Sequence, residues 1–347
     1  MVVKQKFNDT ISQKFGCEPH NRSLRELLDT GCLVVDKDCG PTSHKVVENV
    51  KNILKVDKAG HSGTLDPQVS GVLVIGLNRA TRLMEYMLKS PKTYMCLMYI
   101  HKPVSDSQLE LTLQKFRGKI MQTPPLISAV KRRAREREIY KLEVIEKNQD
   151  NQYILFEVMC QHGTYIRKLC TDIGESLKVN AQMIELRRLK AGPKDEKSPA
   201  LISTDELHSL WDLYTEYEKK LKKEIKSEKD EVKQNQLKES LNTIEQKLRQ
   251  HILPLEELLD DLKKIVLRDT AISTVCHGSD VGVPGILSVD DEIEMGEEVA
   301  LMSGRGELVA IGTAFMSGNE ILNKDKGAAV KTEKVFMHKG VYPKSWF

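Results

Sequence analysis

Residues 61–77 read His61-Ser62-Gly63-Thr64-Leu65-Asp66-Pro67-Gln68-Val69-Ser70-Gly71-Val72-Leu73-Val74-Ile75-Gly76-Leu77. A glycine-bounded loop presents one carboxylate and runs straight into an apolar strand, Val72 to Leu77. A tight turn anchored by a buried strand is what a reactive acid needs, because the anchor stops the side chain from wandering. The same residues also read as an ordinary turn aspartate fixed by the proline behind it.

Working outward, residues 31–192 carry a mixed α/β pattern. Cys32 to Val35 is a strand, and Ser43 is placed to cap a helix whose Val46, Val47, Val50, Ile53 and Leu54 share one face. Thr93 to Ile100 is apolar on both faces, which predicts a central strand. Ile139 to Ile145 and Tyr153 to Cys160 predict a hairpin turning at Asn148 to Asn151. Thr164 is positioned to cap a helix carrying Ile166, Leu169, Cys170, Ile173 and Leu177, with Arg167 in its first turn.

The texture then changes. Between Gly192 and Gly278 there is no glycine, and Leu213, Tyr217, Leu221 and Ile225 recur at steps of four, followed by Leu237, Leu241, Ile244, Leu248 and Ile252. This predicts a charged helical hairpin over residues 206–253, broken near Ser227 to Glu231, whose alternating Lys and Glu read as a solvated surface. Beyond Pro254, glycines punctuate short apolar runs such as Val299 to Met302 and Leu308 to Ile311, the pattern of a small closed β-domain.

The chain has 347 residues, enough for two cores, with 40% apolar and 30% charged residues. No uncharged run approaches the roughly 20 residues of a membrane helix. The N-terminus, Met1 to Lys6, lacks the apolar stretch of a secretory signal. The seven cysteines are scattered without a C-x-x-C pair, which argues against a zinc site or disulfide scaffold and suits a reducing interior. Net charge is only +3, but Lys131-Arg132-Arg133-Ala134-Arg135-Glu136-Arg137 and Arg187-Arg188-Leu189-Lys190 are local basic clusters. Such clusters read either as localised phosphate contacts or as solvated surface charge.

Four segments in order carry a resemblance: Asp36-Lys37 through Gly40-Pro41-Thr42-Ser43-His44; Gly60 to Pro67; Pro124 to Arg132; and Gly163-Thr164-Tyr165-Ile166-Arg167. Downstream, His277 to Gly285 is similar to the opening of a PUA domain, and Tyr342 to Trp346 to the end of one branch. The chain resembles the TruB-type pseudouridine synthases, in particular the archaeal and eukaryotic dyskerin branch that serves H/ACA ribonucleoproteins. The resemblance covers residues 20–347 apart from the helical insertion. It implies an α/β (α+β) fold: an N-terminal extension (1–28) packing on the PUA domain, a mixed-sheet catalytic domain (29–205), the helical insertion (206–253) and a small PUA β-barrel (254–347).

Pseudouridine forms when the N1 glycosidic bond breaks, the uracil turns and C5 takes the sugar. The nucleotide must first be extruded into a pocket. The resemblance makes Asp66 the nucleophile, which splits one difficult exchange into easier covalent steps, on either the base or the sugar. It makes Arg167 the guanidinium that pairs with and aims the acid. Tyr94 is the active-site tyrosine, able to stack on the uracil and handle a proton. Tyr165 and Leu186 match pocket walls, and His61 matches the histidine of the bacterial G-H-x-G-x-L-D-P loop that helps replace the extruded base. Lys131 and Arg132 fall in a loop that closes on substrate RNA and grips phosphate. His277, Gly278, Gly282 and Gly285 fall where a PUA domain approaches RNA. Read from the residues alone, each has a bland alternative: Arg167 as a surface arginine, Tyr94, Tyr165 and Leu186 as core, His61 as loop packing.

Two departures flank the site. Lys37-Asp38-Cys39 stands where relatives have Lys-Pro, and Gln161-His162 where they have Glu-Ala, which bears on loop rigidity and partner contacts. The long basic tails of eukaryotic dyskerins are missing from this sequence, which favours an archaeal-type cytoplasmic protein; a eukaryotic one would be nucleolar. The resemblance implies no cofactor and no metal. It implies RNA partners (tRNA at T-loop position 55, rRNA, an H/ACA guide RNA) and three protein partners: a zinc-ribbon protein, a small β-barrel protein and a kink-turn-binding ribosomal-type protein. The alternatives are a catalytically silent H/ACA-type RNA-binding scaffold, which would lack Asp66 or Arg167, and a base-exchanging transglycosylase, which would carry zinc-ligand cysteines.

Overall fold

The computed structural model describes residues 3–7, 11–124, 133–227 and 231–344. After β1 (Val3–Gln5), α1 (Leu24–Thr30) starts at a capping box in which Ser23 and Glu26 satisfy each other's backbone N–H. β2 (Gly31–Lys37) is almost wholly buried. α2 (Ser43–Leu54) buries Val46, Val50 and Leu54 as its spacing predicts, but its cap is Thr42, whose hydroxyl accepts from the Lys45 N–H at 3.1 Å. Ser43 is the first helical residue, and its hydroxyl turns inward.

β3 (Ala59–His61), β4 (Ser70–Leu77), α3 (Met84–Lys89) and β5 (Lys92–Ile100) follow, then α4 (Asp106–Gln114) and β6 (Gly118–Gln122). β7 (Arg135–Lys147) and β8 (Tyr153–Cys160) form the expected antiparallel hairpin. α5 (Ile166–Ser176) begins after Tyr165 without a side-chain cap. Thr164, expected to cap it, instead donates its hydroxyl to the Gln161 carbonyl at 2.7 Å. β9 (Ala181–Ala191), β10 (Lys194–Asp195) and β11 (Leu201–Ile202) complete this region.

After α6 (Thr204–Ser227) and α7 (Glu231–His251), β12 (Ile252–Pro254) returns to pair with β2. The main sheet runs β11-β2-β4-β9-β5-β8-β7-β6, with β3, β10 and β12 paired at its side, so β5 is central. Its two halves join only where β4 meets β9 in parallel, at Ser70 beside Arg187 and Gly71 beside Arg188. Gly71 has φ +107°, and a Cβ there would lie 2.2 Å from the Arg188 carbonyl oxygen. The junction therefore requires glycine.

The helical hairpin packs on this sheet. Leu207 and Trp211 of α6 and Leu248 of α7 join the cluster of Leu33, Val35, Val46, Val50, Leu73 and Ile75. The expected stripe on α6 is corrected: Leu213 and Ile225 are exposed, and Leu207 and Trp211 carry the contact, because two apolar stripes share this helix and only one meets the sheet. The α7 stripe lies as expected, with Ile244 and Leu248 buried.

The second sheet comprises β1, β13 (Lys264–Leu267), β14 (Val281–Gly282), β15 (Ile286–Asp290), β16 (Glu298–Met302), β17 (Leu308–Ala314) and β18 (Ala328–Val335), in the order β1-β15-β13-β16-β17-β18-β14. α8 (Asp269–Cys276) packs Ile272 and Val275 into its core. The chain's first strand thus closes the edge of its last sheet, Lys4 standing opposite Val289. Apolar residues of both sheets form one cluster, in which Val34, Val72, Val74, Met84 and Leu255 meet Ala300, Met302, Leu308 and Phe336.

Polar ties cross the same seam. Arg79 donates to the carbonyls of Phe336 (2.8 Å) and Met337 (3.1 Å). Arg22 makes a two-pronged bond to Glu256 at 2.8 Å, and Glu256 also accepts from the Leu308 N–H at 2.8 Å. Removing one partner of so buried an ion pair strands the other, so Arg22→Ala is expected to lower stability by about 3–5 kcal/mol. Urea unfolding of parent and variant measures this, and a loss below about 1 kcal/mol would contradict it.

Candidate active site

The segment between β3 and β4 has few turn bonds of its own, and its backbone is satisfied mainly from outside. The buried Ser43 hydroxyl donates to the Leu65 carbonyl (3.1 Å) and accepts from the Leu65 N–H (2.8 Å). Lys37, 1% exposed, donates to the carbonyls of Val69 (2.7 Å), Asp38 (2.8 Å) and Pro67 (3.3 Å). Gly40 N–H reaches the Pro67 carbonyl at 2.8 Å, and the Cys39 thiol the Gln68 carbonyl at 3.3 Å. The Lys37-Asp38-Cys39 departure therefore leaves the loop tied down, through other bonds than a rigid proline would supply. Arg188 donates to the carbonyls of Gly63 (3.2 Å) and Val72 (2.7 Å).

On this scaffold the Asp66 carboxylate accepts from the Arg167 guanidinium at 2.7 Å, each side chain about half exposed. An exposed pair contributes only about 0.2–1 kcal/mol to stability, so its consequence is orientation rather than folding. Residues 101 positions apart meet because the loop and the first turn of α5 converge. Tyr94 on β5 stands opposite Arg188 on β9, and Leu186 opposite Cys96. Both Tyr94 and Leu186 pack against the cluster of Cys96, Phe156, Val158 and Leu169. Tyr165, just before α5, exchanges two backbone bonds with the Gln122 side chain, at 3.0 and 3.2 Å.

Burial shapes the proton affinities here. It pushes the Tyr94 phenol above its ordinary range, against the pull of the facing Arg188 guanidinium. Burial, with Arg188 as a like-charged neighbour, pulls Lys92 down to about 7. Three carbonyls, of Met87, Leu88 and Ser90, accept from its Nζ at 2.7–2.9 Å and oppose that pull by favouring the ammonium. His61 is depressed by burial first, then by His44, whose ring centre lies 5.1 Å away, and by Arg188. Its Nδ1 accepts from the Gly63 N–H at 3.2 Å, so the neutral ring carries its proton on Nε2, which is buried without a partner among the described residues.

Other expected residues fall elsewhere. Lys131 and Arg132 lie outside the described residues. Arg137 from the same run donates to the Gly163 carbonyl at 3.1 Å, bracing the turn before α5. Arg187 and Arg188, read as possible phosphate contacts, are used internally: Arg187 forks onto Asp36 (3.0 Å twice) and reaches Glu196 (2.9 Å), and Arg188 is 1% exposed. His277 follows α8 and its Nδ1 lies 2.7 Å from the Ser273 carbonyl. Gly278 has φ +91° and open space where a Cβ would go, leaving its backbone approachable. Gly285 is small for a different reason, since a Cβ there would come within 2.9 Å of Ala271. Among the described residues no cluster of three or more His, Cys, Asp or Glu is arranged to hold a metal.

Ser43, Lys92 and Arg188 were missed by sequence reasoning. For Arg188 a signal existed: it lies two residues beyond Leu186 on one strand and so shares its face.

Residues 51–166 match the TruB family pseudouridylate synthase N-terminal domain, 167–260 the tRNA pseudouridylate synthase B C-terminal domain, 263–336 the PUA domain and 1–47 the DKCLD domain. A probable tRNA pseudouridine synthase B of Methanocaldococcus jannaschii is 44% identical over 346 residues, covering 100% of this chain and 94% of the relative. The chain belongs to the TruB family of pseudouridine synthases. A second TruB relative, also a probable tRNA pseudouridine synthase B, comes from Nanoarchaeum equitans and is 42% identical over 337 residues, covering 96% of this chain and 88% of its own length. The fold matches the chain solved in the archaeal box H/ACA sRNP Nop10-Cbf5 complex with a TM-score of 0.84 and 36% identity, over 99% of this chain and 98% of that one. It also matches the chain in an H/ACA RNP bound to a substrate RNA containing 2'-deoxyuridine, with a TM-score of 0.83 and 37% identity, over 99% and 97% of the two chains. The expected α/β catalytic region and C-terminal PUA domain of the TruB chain are thus both present. No helix among its described residues is long and apolar enough to cross a membrane.

The neutral His61 ring yields a prediction. Its folded-state proton affinity is below the ordinary value of 6.5, so the unfolded chain protonates first. The associated stability is complete above about pH 6.5 and is lost as pH falls through the lower folded value. Urea unfolding at about pH 7.5 and about pH 5 is expected to show a smaller acid loss in His61→Gln than in the parent. Equal losses would remove His61 from the pH dependence.

Proposed function

We propose that this pseudouridine synthase converts the T-loop uridine at position 55 of tRNA and, directed by an H/ACA guide RNA, uridines of rRNA. The observation that carries the reading is the half-exposed Asp66 carboxylate, held at 2.7 Å by Arg167, with Tyr94 close enough to feel its charge. An extruded uridine meets a nucleophile already aimed, as a near-attack geometry requires. Asp66 adds to base or sugar, the N1–C1′ bond breaks, the C5–C1′ bond forms, the bond to Asp66 breaks to return the free carboxylate, and the proton leaving C5 is balanced by one gained at N1. The isomerisation balances without a cofactor. Tyr94 supplies a stacking face and a hydroxyl for the proton; Tyr165 and Leu186 wall the pocket against water. His61 supports the loop from beneath while the base is out of its helix. Lys131 and Arg132 close on RNA phosphates, and His277, Gly278, Gly282 and Gly285 lie on the PUA-side RNA contact.

Relatives named as tRNA pseudouridine synthases support the tRNA substrate. Solved relatives assembled with Nop10, with Gar1 and with substrate RNA support the guided mode; in this reading the protein partners are a zinc-ribbon, a small β-barrel and a kink-turn-binding protein. The setting that fits an archaeal-type chain is the cytoplasm.

The test is to incubate the purified protein with a tRNA transcript and with an rRNA fragment, with and without guide RNA and partner proteins, and to map pseudouridine at nucleotide resolution. Asp66→Asn is expected to abolish product. Arg167→Ala is expected to slow conversion by about 10²–10³-fold with an unchanged far-UV spectrum. Parental rates in Arg167→Ala would take it out of the mechanism, and no product under any condition would return the chain to an RNA-binding scaffold.

A further inference from the structure

We propose that Arg188 is the positioning residue of this site, its buried guanidinium fixing the Tyr94 hydroxyl to the same framework that holds the Asp66 loop. The proposal rests on the uridine-isomerising role above. Arg188 bonds to both ends of the segment that this framework holds. Its Nη2 donates to the Gly63 carbonyl at the start of the loop (3.2 Å) and its Nε to the Val72 carbonyl just beyond its end (2.7 Å). Its backbone is the partner of Gly71 at the point where the sheet's two halves join. Across the other edge of β9 it stands directly opposite Tyr94 in the strand register, near enough that its charge favours the phenolate.

The residue type is informative. Arg188 is 1% exposed, and among the described residues no carboxylate forms an ion pair with it. Lys92 and Lys37, both nearly buried cations, feel its charge as well. A buried cation among cations is costly, and a neutral donor would tie the loop at lower cost. A guanidinium has donors only, so in its contact with Tyr94 the phenol oxygen must accept. The phenolic proton is then directed away from Arg188. Among the described residues, the titratable groups that act on Tyr94 are Arg188 from β9, Cys160 from β8 and Asp66 from the loop, and of these Arg188 is the cation. A planar fork that reaches three groups at fixed angles is a property of arginine that lysine lacks.

The experiment places 3-fluorotyrosine at position 94 and follows the fluorine resonance of the full-length protein through the phenol titration. Parent, Arg188→Gln and Arg188→Lys are compared. Removing the charge in Arg188→Gln is expected to raise the midpoint by about one pH unit or more, while Arg188→Lys stays near the parent. An unmoved midpoint in a folded Arg188→Gln overturns the proposal. Single-turnover conversion of a tRNA transcript is the second reading. Arg188→Lys and Tyr94→Phe are each expected to slow the step with unchanged RNA affinity, and the double variant to be no slower than the slower single one. Multiplying losses, or a parental rate in Arg188→Lys, would overturn it as well. Thermal melting reports whether Arg188→Gln folds, and if it does not, the lysine variant still decides through rate and coupling. The titration needs no turnover, so a parent that makes no pseudouridine defeats the functional reading while the titration still decides the Arg188–Tyr94 link.

Discussion

A loop that must hold a carboxylate in a fixed place cannot also be a regular helix or strand, so its peptide groups have to find partners elsewhere. In this chain the partners for residues 63–69 come from three directions. Ser43 braces Leu65 from α2, Lys37 at the end of β2 gathers the carbonyls of Pro67 and Val69, and Arg188 reaches Gly63 from β9. Each is buried, so each bond forms out of competition with water, and an unmade one would cost about 1–3 kcal/mol. The position of Asp66 is therefore a property of the whole sheet, although the residue itself stands in solvent.

That dependence explains what was legible beforehand. Elements with a local signature could be read: the continuous apolar run of β4, the central β5 and the β7–β8 hairpin. Asp66, Arg167 and Tyr94 could be singled out because the segments that carry the family resemblance are local as well. The supporting residues were not, since nothing near Ser43 in the chain announces that its hydroxyl faces a loop 22 residues away. Arg187 and Arg188 misled for a related reason. A basic pair looks solvated until the carbonyls and carboxylates that surround it are brought in from Asp36, Gly63 and Val72. The α6 stripe failed because the helix offers two apolar faces, and only the sheet selects between them.

The charges are layered by depth. Beneath the loop lie Lys37, Lys92 and Arg188, all nearly inaccessible; at the surface lie Asp66 and Arg167, both open. The buried cations are held by carbonyl oxygens and cannot follow a substrate, whereas the outer pair can exchange contacts with one. A polyanion arriving at the site thus meets the Asp66 carboxylate above a floor of buried basic side chains. Such preorganised charge works without reorganising at the moment of reaction.

The apolar cluster shared by the two sheets has a mechanical meaning. Val72 and Val74, which continue the strand leaving the Asp66 loop, pack in the same cluster as Met302, Leu308 and Phe336 of the second sheet. No hinge of solvated residues separates them, and Arg79 and Glu256 tie the same seam with polar bonds. An RNA gripped by the far sheet would therefore meet Asp66 at a set separation. The spacing between the two sheets is thus fixed by their shared core and not by a linker.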